Sequence, residues 1–378
     1  MRNFNYLKCR CCDNENLVNW LRLPDSPVAN ALFDKPDYTR YPLVLNYCEQ
    51  CGHLQLAAAP DPDSVFSKYR YRSGVSKSFQ KHFSDYALDV VQKEGPGKVL
   101  EIGSNDGYLL QQFAKHNCEV VGVEPSDLLR SDHEEKGVEV VTDFFTSFLV
   151  DQYSWENKFD VVCANNVLAH IPDTYEVMRA ISKALKPNGI LVAECGDQKG
   201  IISGEYLDNV YHEHIDYYSP NSFATLAKRA GLVVEEVTQI NTHGVSFRII
   251  ARKKDGESVT SLDAIDLIKT KEDVLSSIEK RKQRILSELK DREFVAYGAA
   301  AKAVTSLYSL GIIDEKLIGV VDDNDLKQGM FFPGTNILIE NPENINPNSV
   351  VLVAAWNVFN DIKEKLLSRG HRGEILCM

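Results

Sequence analysis

The chain has 378 residues, of which 44% are hydrophobic and 25% charged, and its formal net charge is -12. This length predicts two or three domains. The acidic balance disfavours nucleic acid and anionic membrane surfaces as partners. No apolar run of about 18 residues is present, and the first residues, MRNFNYLKCRCC, lack a signal-peptide core. We expect a cytoplasmic monomer whose nine cysteines are thiols or metal ligands.

Two C-x-x-C pairs lie near the N-terminus, Cys9 with Cys12 and Cys48 with Cys51. Four thiolates from two such pairs can form the tetrahedral site that Zn²⁺ prefers in closed structural centres. The alternative is a set of unligated thiols, and Cys11 is expected to be a bystander. We interpret residues 1–65 as a zinc-binding module whose metal serves folding, because four thiolates leave no open position for chemistry.

The crossing segment, residues 66–76, alternates aromatic and basic side chains in SKYRYRSGVS. Two interpretations stay open for it. One is a solvated strand or loop that leads to the next domain. The other is a lid over an anionic substrate, with a tyrosine that points inward.

A strand, a glycine turn, a helix and a second strand follow one another from Lys98 to Glu124. The corresponding segments are KVLEIG, SNDG, YLLQQFAKH and EVVGVE. This order is the first half of a doubly wound nucleotide-binding fold. We assign residues 77–255 to this domain and expect its ligand at the carboxyl ends of the strands.

The glycine turn distinguishes between nucleotide cofactors. E-I-G-S-N-D-G has two glycines and lacks the G-x-G-x-x-G of dinucleotide sites, a pattern that favours S-adenosylmethionine, which has no phosphate. Glu124 lies 21 positions beyond Gly103, where a ribose-binding acid is expected, although a solvated strand end is the alternative. The predicted cofactor-binding residues are Glu101, Gly103, Ser104, Asn105, Asp106, Gly107, Glu124, Pro125, Asp143, Phe144, Asn165 and Asn166.

Residues 208–218, DNVYHEHIDYY, hold three tyrosines, two histidines and three carboxylates. This density of groups that can move protons makes the stretch a candidate for acid–base chemistry. His212, Glu213 and His214 could instead bind a metal or pack as structural residues. His170, which follows the fourth strand, is either a core or capping residue or an active-site histidine.

The chain resembles the sugar-nucleotide C-methyltransferases nearly end to end. The motifs that carry the resemblance are the two C-x-x-C pairs, Tyr69-Arg-Tyr71, E-I-G-S-N-D-G, N-N-V-L-A-H, Tyr211-His-Glu-His214 and Tyr297-Gly-Ala-Ala-Ala-Lys302. The resemblance implies a zinc-bearing module, a methyltransferase core and a second α/β domain, which act on 4-keto sugar nucleotides at C3. It implies active-site roles for Tyr71, His170, Tyr211, Glu213 and His214.

Methylation of a carbon beside a ketone needs a base near the C–H bond and a donor near the developing enolate oxygen. His214 is the expected base, with Glu213 or His170 as its orienting or relaying neighbour. Tyr71 and Tyr211 are the expected ligands of the oxyanion and of substrate hydroxyls.

Further substrate contacts are expected from several regions. Residues 256–290 are predicted as a bridging helical segment. Residues 291–378 are predicted as a second α/β domain, in which a helix that begins near Ala299 would offer backbone amides to a diphosphate. A plain packing domain is the alternative, and an edge strand is the alternative for the segment with Ser246. The predicted substrate-binding residues are Tyr69, His243, Ser246, Tyr297, Gly298, Ala299, Ala300, Lys302 and Asp322.

The sequence therefore predicts an α/β protein with an N-terminal zinc-binding module, a central S-adenosylmethionine-dependent Rossmann-like domain and a C-terminal Rossmann-like domain. We expect C-methylation of a nucleotide-linked 4-keto-6-deoxysugar, with dTDP, GDP and CDP all open as the nucleotide. An O- or N-methyltransferase and a zinc-bearing binding protein without turnover are the alternatives.

Overall fold

The computed structural model describes residues 3–60, 77–240, 245–259 and 267–378. The strands, numbered in chain order, are β1 Asn3–Asn5, β2 Val18–Ser26, β3 Tyr41–Tyr47, β4 Leu54–Leu56, β5 Ala58–Pro60, β6 Lys98–Ile102, β7 Glu119–Val123, β8 Glu139–Val141, β9 Phe159–Asn165, β10 Leu185–Gly196, β11 Asp216–Tyr217, β12 Val233–Ile240, β13 Ser246–Arg252, β14 Phe294–Tyr297, β15 Leu317–Val321, β16 Ile339–Glu340, β17 Val350–Val353 and β18 Ile375–Cys377. The α-helices are α1 Lys77–Glu94, α2 Tyr108–Lys115, α3 Arg130–Lys136, α4 Ser147–Gln152, α5 Thr174–Ala184, α6 Lys199–Ile202, α7 Pro220–Arg229, α8 Leu267–Leu289, α9 Ala301–Ser309, α10 Ile313–Lys316 and α11 Phe359–Ser368.

The central sheet has seven strands in the order β12-β13-β10-β9-β6-β7-β8. Strands β6 to β10 are parallel, and β13 is antiparallel to β10. Because helices connect the parallel strands, both faces are covered, and β6 and β9 contain runs of consecutive buried residues. The order reverses between β6 and β9, so the crevice at the carboxyl ends of these two strands is the expected ligand site.

The N-terminal sheet is antiparallel, and its order is β11-β4-β3-β2. In β3 the alternate residues Leu43, Leu45 and Tyr47 are buried, as expected for a strand with one face on a core. Strand β11 comes from the segment between α6 and α7 and pairs with β4, where Asp216 lies opposite Gln55. The polar stretch 208–218 is therefore built into the edge of the zinc-bearing sheet.

The C-terminal sheet is parallel, with the order β16-β15-β14-β17-β18. Residues around this sheet contact the N-terminal module and the polar stretch 208–218. The Arg40 guanidinium lies 4.8 Å from the ring centre of Tyr308, and Phe331 N donates to Phe33 O at 2.9 Å. The Trp356 indole donates to the carboxylate that opens the polar stretch, at 2.7 Å. The stretch 208–218 thus lies where the zinc-bearing sheet and the C-terminal sheet meet.

The predicted fold class is confirmed, with a Rossmann-like core between two further domains. No helix in the described ranges has the length and apolar character needed to cross a membrane.

Candidate active site and zinc centre

The two C-x-x-C pairs meet in one cluster. Their sulfur atoms all lie within 4.8 Å of one another, and two of the separations between the pairs, Cys9–Cys51 and Cys12–Cys48, are 3.5 Å. Each turn is closed by a backbone hydrogen bond of 2.8 Å, to Cys9 O and to Cys48 O. Four thiolates at this spacing fit a tetrahedral zinc ion with Zn–S bonds of about 2.3 Å. The residues of the cluster are Cys9, Cys12, Cys48 and Cys51, whereas the buried Cys11 is not part of it.

The glycine turn after β6 is fastened to the end of β7. Gly103 N donates to Val123 O at 2.8 Å. The Glu124 carboxylate accepts a hydrogen bond from Asn105 N at 2.9 Å and from Ser126 N at 3.0 Å. Burial outweighs these two bonds and raises the pKa of Glu124 to about 7. A hydroxyl donor such as ribose would favour the ionised form of this carboxyl group.

Gly103 is required by a close approach at this turn. Its φ is +65°, and a Cβ atom there would come within 2.8 Å of the Val167 side chain. Val167 follows β9, so the ends of β6 and β9 are in direct contact at the crevice.

Two polar side chains at this edge have buried atoms that lack a hydrogen-bond partner among the described residues. Glu101 leaves Oε2 unpaired, and Asn165 leaves both Oδ1 and Nδ2 unpaired. Burial raises the pKa of Glu101 well above its ordinary range. Such orphaned groups are costly unless a ligand pairs with them. The amino acid end and the ribose of S-adenosylmethionine carry suitable donors and acceptors, so the residues present fit this cofactor.

The other predicted cofactor residues lie on the same edge of the sheet. Asp106 is buried in the turn, and Asp143, after β8, accepts a hydrogen bond from Phe144 N at 2.7 Å. Phe144 is 38% exposed, which leaves its ring open to a ligand. Asn166 N donates to the carbonyl of Glu194 in β10 at 2.8 Å, and this bond holds the chain where it leaves β9.

His133 supports the glycine turn, and the sequence reasoning missed it. Its Nδ1 is 2.9 Å from Leu129 O, so Nδ1 donates and Nε2 accepts from the Ser104 hydroxyl, also at 2.9 Å. A Cβ atom at Gly107 would lie 2.8 Å from the His133 ring. No local pattern marks this histidine, because it reaches the turn from α3.

Three predicted catalytic side chains meet beside this edge. The ring centres of His170 and His214 are 4.5 Å apart, and the Tyr211 ring stacks on His214 at 4.3 Å and 26°. His170 ends a 3-10 turn that follows β9, and His214 lies two residues before the start of β11. The Tyr217 ring lies 6.2 Å from His214.

The protonation state of His170 follows from its hydrogen bond. Nδ1 lies 2.7 Å from the carbonyl oxygen of Glu213, and because a carbonyl only accepts, Nδ1 carries the proton. Burial lowers the pKa of His170 from its ordinary 6.5 to about 4. The imidazole is therefore neutral near pH 7.

The carboxylate of Glu213 faces away from the histidines. It accepts hydrogen bonds from Asn30 N at 2.6 Å and from Ala29 N at 3.3 Å, and burial raises its pKa. Glu213 thus contacts His170 through its backbone, whereas its side chain fastens the loop after β2.

One predicted catalytic residue, Tyr71, and several predicted substrate residues fall outside this geometry. Tyr69, Tyr71 and His243 lie outside the described residues. Ser246 is buried at the start of β13, where it pairs with Gly196 of β10.

The predicted residues of the C-terminal domain surround the turn after β14. Asp322 accepts from Ala299 N at 2.7 Å, so its carboxylate closes the turn that contains Gly298. The Tyr297 hydroxyl donates to an Asp323 carboxylate oxygen at 2.9 Å. Helix α9 begins after the exposed Ala300 without a side-chain cap, and Lys302 lies in its first turn. The first amides of α9 are thus available to a ligand anion.

Three family models match consecutive parts of the chain. The model described as "Putative zinc binding domain" matches residues 9–66, and "Methyltransferase domain" matches residues 71–237. The model described as "C-methyltransferase C-terminal domain" matches residues 241–377. The three matches follow the zinc cluster, the seven-stranded sheet and the C-terminal sheet in order.

Individual relatives extend this comparison. A solved S-adenosylmethionine-dependent methyltransferase from Thermotoga maritima shares 19% identity at a TM-score of 0.36, over 46% of this chain and 91% of that chain. Ubiquinone biosynthesis O-methyltransferase from Aeromonas salmonicida is 26% identical over 38% of this chain and 66% of that protein. C-methyltransferase NovU from Streptomyces niveus is 26% identical over 97% of this chain and 94% of that protein. The three domain matches together run from residue 9 to residue 377, and with this end-to-end similarity they support an S-adenosylmethionine-dependent C-methyltransferase that carries a zinc-binding domain.

Proposed function

We propose that the enzyme methylates C3 of a nucleotide-linked 4-keto-6-deoxysugar. The observation that carries this proposal is the pair of histidines beside the methyl-donor edge, with Tyr211 stacked on His214. A carbon acceptor needs a base before methyl transfer, and the pair supplies basic nitrogens. The sugar-nucleotide substrate rests on the motifs that resemble the sugar-nucleotide C-methyltransferases.

In the first step His214 removes the proton from C3 of the sugar. The electron pair of the C–H bond moves into the C3–C4 bond, and the carbonyl pair moves onto the C4 oxygen, which gives an enolate. Neutral His170, 4.5 Å away between ring centres, is the proposed acceptor of that proton from His214. Positioned proton transfer of this kind contributes about 10²–10⁴-fold in rate.

In the second step the enolate re-forms the ketone and its carbon takes the methyl group. S-adenosylmethionine, when bound, supplies that methyl group and leaves as S-adenosylhomocysteine. Tyr211 and Tyr71 are proposed as donors to the enolate oxygen, where preorganised donors stabilise developing charge. Glu101, Glu124 and Asn165, the last residue of β9, are proposed to hold the methyl donor close to C3.

The nucleotide end of the substrate is assigned to the C-terminal domain. The uncapped start of α9 and the Lys302 ammonium offer positive charge to a diphosphate, next to the turn that Asp322 closes. A cytoplasmic site of action is also proposed, because all nine cysteines are free thiols and four of them form the metal cluster.

The direct test is to incubate the enzyme and S-adenosylmethionine with a panel of 4-keto-6-deoxysugar nucleotides and to detect products by mass. We expect one substrate to gain a methyl group on carbon. In a parallel experiment in D2O without methyl donor, deuterium should enter the sugar at C3. Methylation without any C3 exchange would identify an O- or N-methyltransferase instead, and no methylation of any member would refute the substrate class.

A further inference from the structure

A buried ion pair joins the zinc cluster to the histidine pair. Arg10 lies between two of the zinc-ligand cysteines, and its side chain is only 7% exposed. The guanidinium donates from Nε to Asp216 Oδ1 at 2.7 Å and from Nη2 to Asp216 Oδ2 at 3.0 Å. Asp216 follows His214 by two residues, so this two-pronged bond fixes the strand that carries His214.

The same guanidinium also holds the segment that carries His170. It donates to Ile171 O at 2.5 Å and to the Thr174 hydroxyl at 2.7 Å, and it contacts Pro172 O. Ile171 is the residue after His170. One side chain therefore fastens both chain segments from which the two imidazoles project.

Asp216 completes the connection from its own side. It is fully buried and accepts further hydrogen bonds from His53 Nε2 at 2.9 Å, from the Thr174 hydroxyl at 2.9 Å and from the Tyr218 hydroxyl at 3.1 Å. Burial opposes its ionisation, but Arg10 and His53 outweigh burial and hold the pKa of Asp216 well below its usual range.

Backbone contacts keep these segments in register. Arg10 N donates to Gln55 Oε1 at 2.9 Å, and Gln55 lies opposite Asp216 in the sheet. Ile215 N donates to Ala169 O at 2.7 Å, so the residues that flank the two histidines are also bonded to each other. The zinc cluster, Arg10 and the histidine pair thus form one continuous network of contacts.

We propose that Arg10 is a positioning residue that sets the relative placement of His170 and His214 from the zinc-bearing sheet. The inference rests on the proposed proton-transfer role of that pair. A planar guanidinium can serve a carboxylate and three other oxygens at once, whereas a lysine ammonium is a point charge with three donors. Arg10→Lys therefore keeps the positive charge but cannot make all of these hydrogen bonds at once.

The test compares Arg10→Lys with Arg22→Lys, a matched control in the exposed Arg22–Asp25 ion pair of the same sheet. Proteins with isotope-labelled histidine are examined by NMR without substrate, and the two active-site signals are assigned by single His→Gln variants. We expect Arg10→Lys to keep its zinc and its S-adenosylmethionine affinity, but to shift the signals of both His170 and His214. With substrate, kcat should fall about 10²-fold at an unchanged KM for the methyl donor. The control should change none of these.

Unchanged histidine signals and unchanged kcat in zinc-loaded Arg10→Lys would overturn the proposal. Loss of zinc in that variant would overturn it too, because Arg10 would then serve the metal cluster itself. If Arg10→Lys does not fold, Thr174→Val removes one bridging hydroxyl and leaves the ion pair, and smaller shifts of the same two signals are expected. A further outcome separates this proposal from the proposed substrate. If Arg10→Lys shifts both histidine signals but the wild-type enzyme methylates no sugar nucleotide, the substrate assignment fails while the positioning role stands.

Discussion

At the scale of single residues, the backbone and the side chain of Glu213 have different roles. The backbone carbonyl of Glu213 holds the His170 ring, whereas the carboxylate of Glu213 binds backbone amides of the loop after β2. The tautomer of His170 is therefore set by the main chain, and its burial keeps it neutral.

His214→Asn should abolish most of the chemistry and leave cofactor binding intact. Asparagine has a similar size but cannot accept a proton, so we expect kcat to fall about 10²–10⁴-fold. Deuterium exchange at C3 should fall in parallel, and calorimetry should show an unchanged affinity for S-adenosylmethionine. His116→Asn, at the end of α2, is the control and should keep full activity. A His214→Asn enzyme that methylates at the wild-type rate would remove the base assignment.

The affinity for S-adenosylmethionine should depend on pH through Glu124. Its pKa of about 7 means that the carboxyl group is protonated below this pH, where it is a poorer acceptor for ribose hydroxyls. Affinity should therefore rise as pH rises through 7. The folding stability of the ligand-free protein should change in the opposite direction. Because folding raises the pKa of Glu124, this group contributes stability at low pH that is lost as pH rises from 4.5 through about 7.

Glu124→Gln tests this assignment. The variant should bind S-adenosylmethionine about 10–100-fold more weakly above pH 7, the range expected for one or two hydrogen bonds to a charged group. The affinity of Glu124→Gln for S-adenosylmethionine should be the same below and above pH 7. Glu119→Gln, at the opposite end of β7, is the matched control and should bind as the wild type does. A pH dependence that persists in Glu124→Gln would assign the titration to another group.

At the scale of elements, the candidate active site is assembled from pieces of different sheets. His170 follows a strand of the central sheet, and His214 precedes β11, which extends the zinc-bearing sheet. Tyr211 packs partly against the apolar cluster of the C-terminal domain. A polar stretch that is short in sequence therefore links three domains.

The start of α9 should contribute to nucleotide binding. Lys302→Gln removes a positive charge next to uncapped backbone amides, so we expect the nucleotide sugar to bind about 10-fold more weakly. Affinity for S-adenosylmethionine should not change. Lys363→Gln, on α11 and also beside an aromatic ring, is the matched control. Equal nucleotide affinity in both variants and the wild type would leave α9 as a packing element.

At the scale of the whole molecule, the zinc cluster is part of the main core. Its buried cysteines belong to the same apolar cluster as residues of the central sheet and of α7, such as Leu100 and Phe223. A metal at this position would stabilise the contact between two domains as well as the N-terminal module itself.

Removal of zinc by a chelator should inactivate the enzyme. Without the metal the two C-x-x-C turns lose their common ligand, so the network through Arg10 loses its anchor and the melting temperature should fall. S-adenosylmethionine should still bind, because the turn after β6 and the end of β7 hold each other directly. To test this, activity, melting temperature and the calorimetric affinity for S-adenosylmethionine are measured before and after chelation. Adding zinc back is the control. Full activity in metal-free protein would contradict it.

Local spacing carried much of the sequence-based prediction. Two C-x-x-C pairs indicated a zinc cluster, and the glycine turn followed by an acid at the end of the next strand indicated a methyl-donor site. Each cysteine pair spans four residues and the glycine turn lies within one strand–helix–strand unit, so the geometry of each signal is set by local backbone rules. The fold class and the cofactors were predictable for this reason, whereas C-methyltransferase activity was predicted from the resemblance to the sugar-nucleotide C-methyltransferases.

By itself, then, the sequence determined the fold class, the cysteine set and the kind of cofactor. The tertiary structure alone decided which distant polar groups meet. Arg10 and Asp216 are 206 positions apart, and the Glu213 carboxylate binds an amide 183 positions away. No local pattern selects such partners, because they are brought together by the pairing of β11 with β4 and by the burial that excludes water from competing for them.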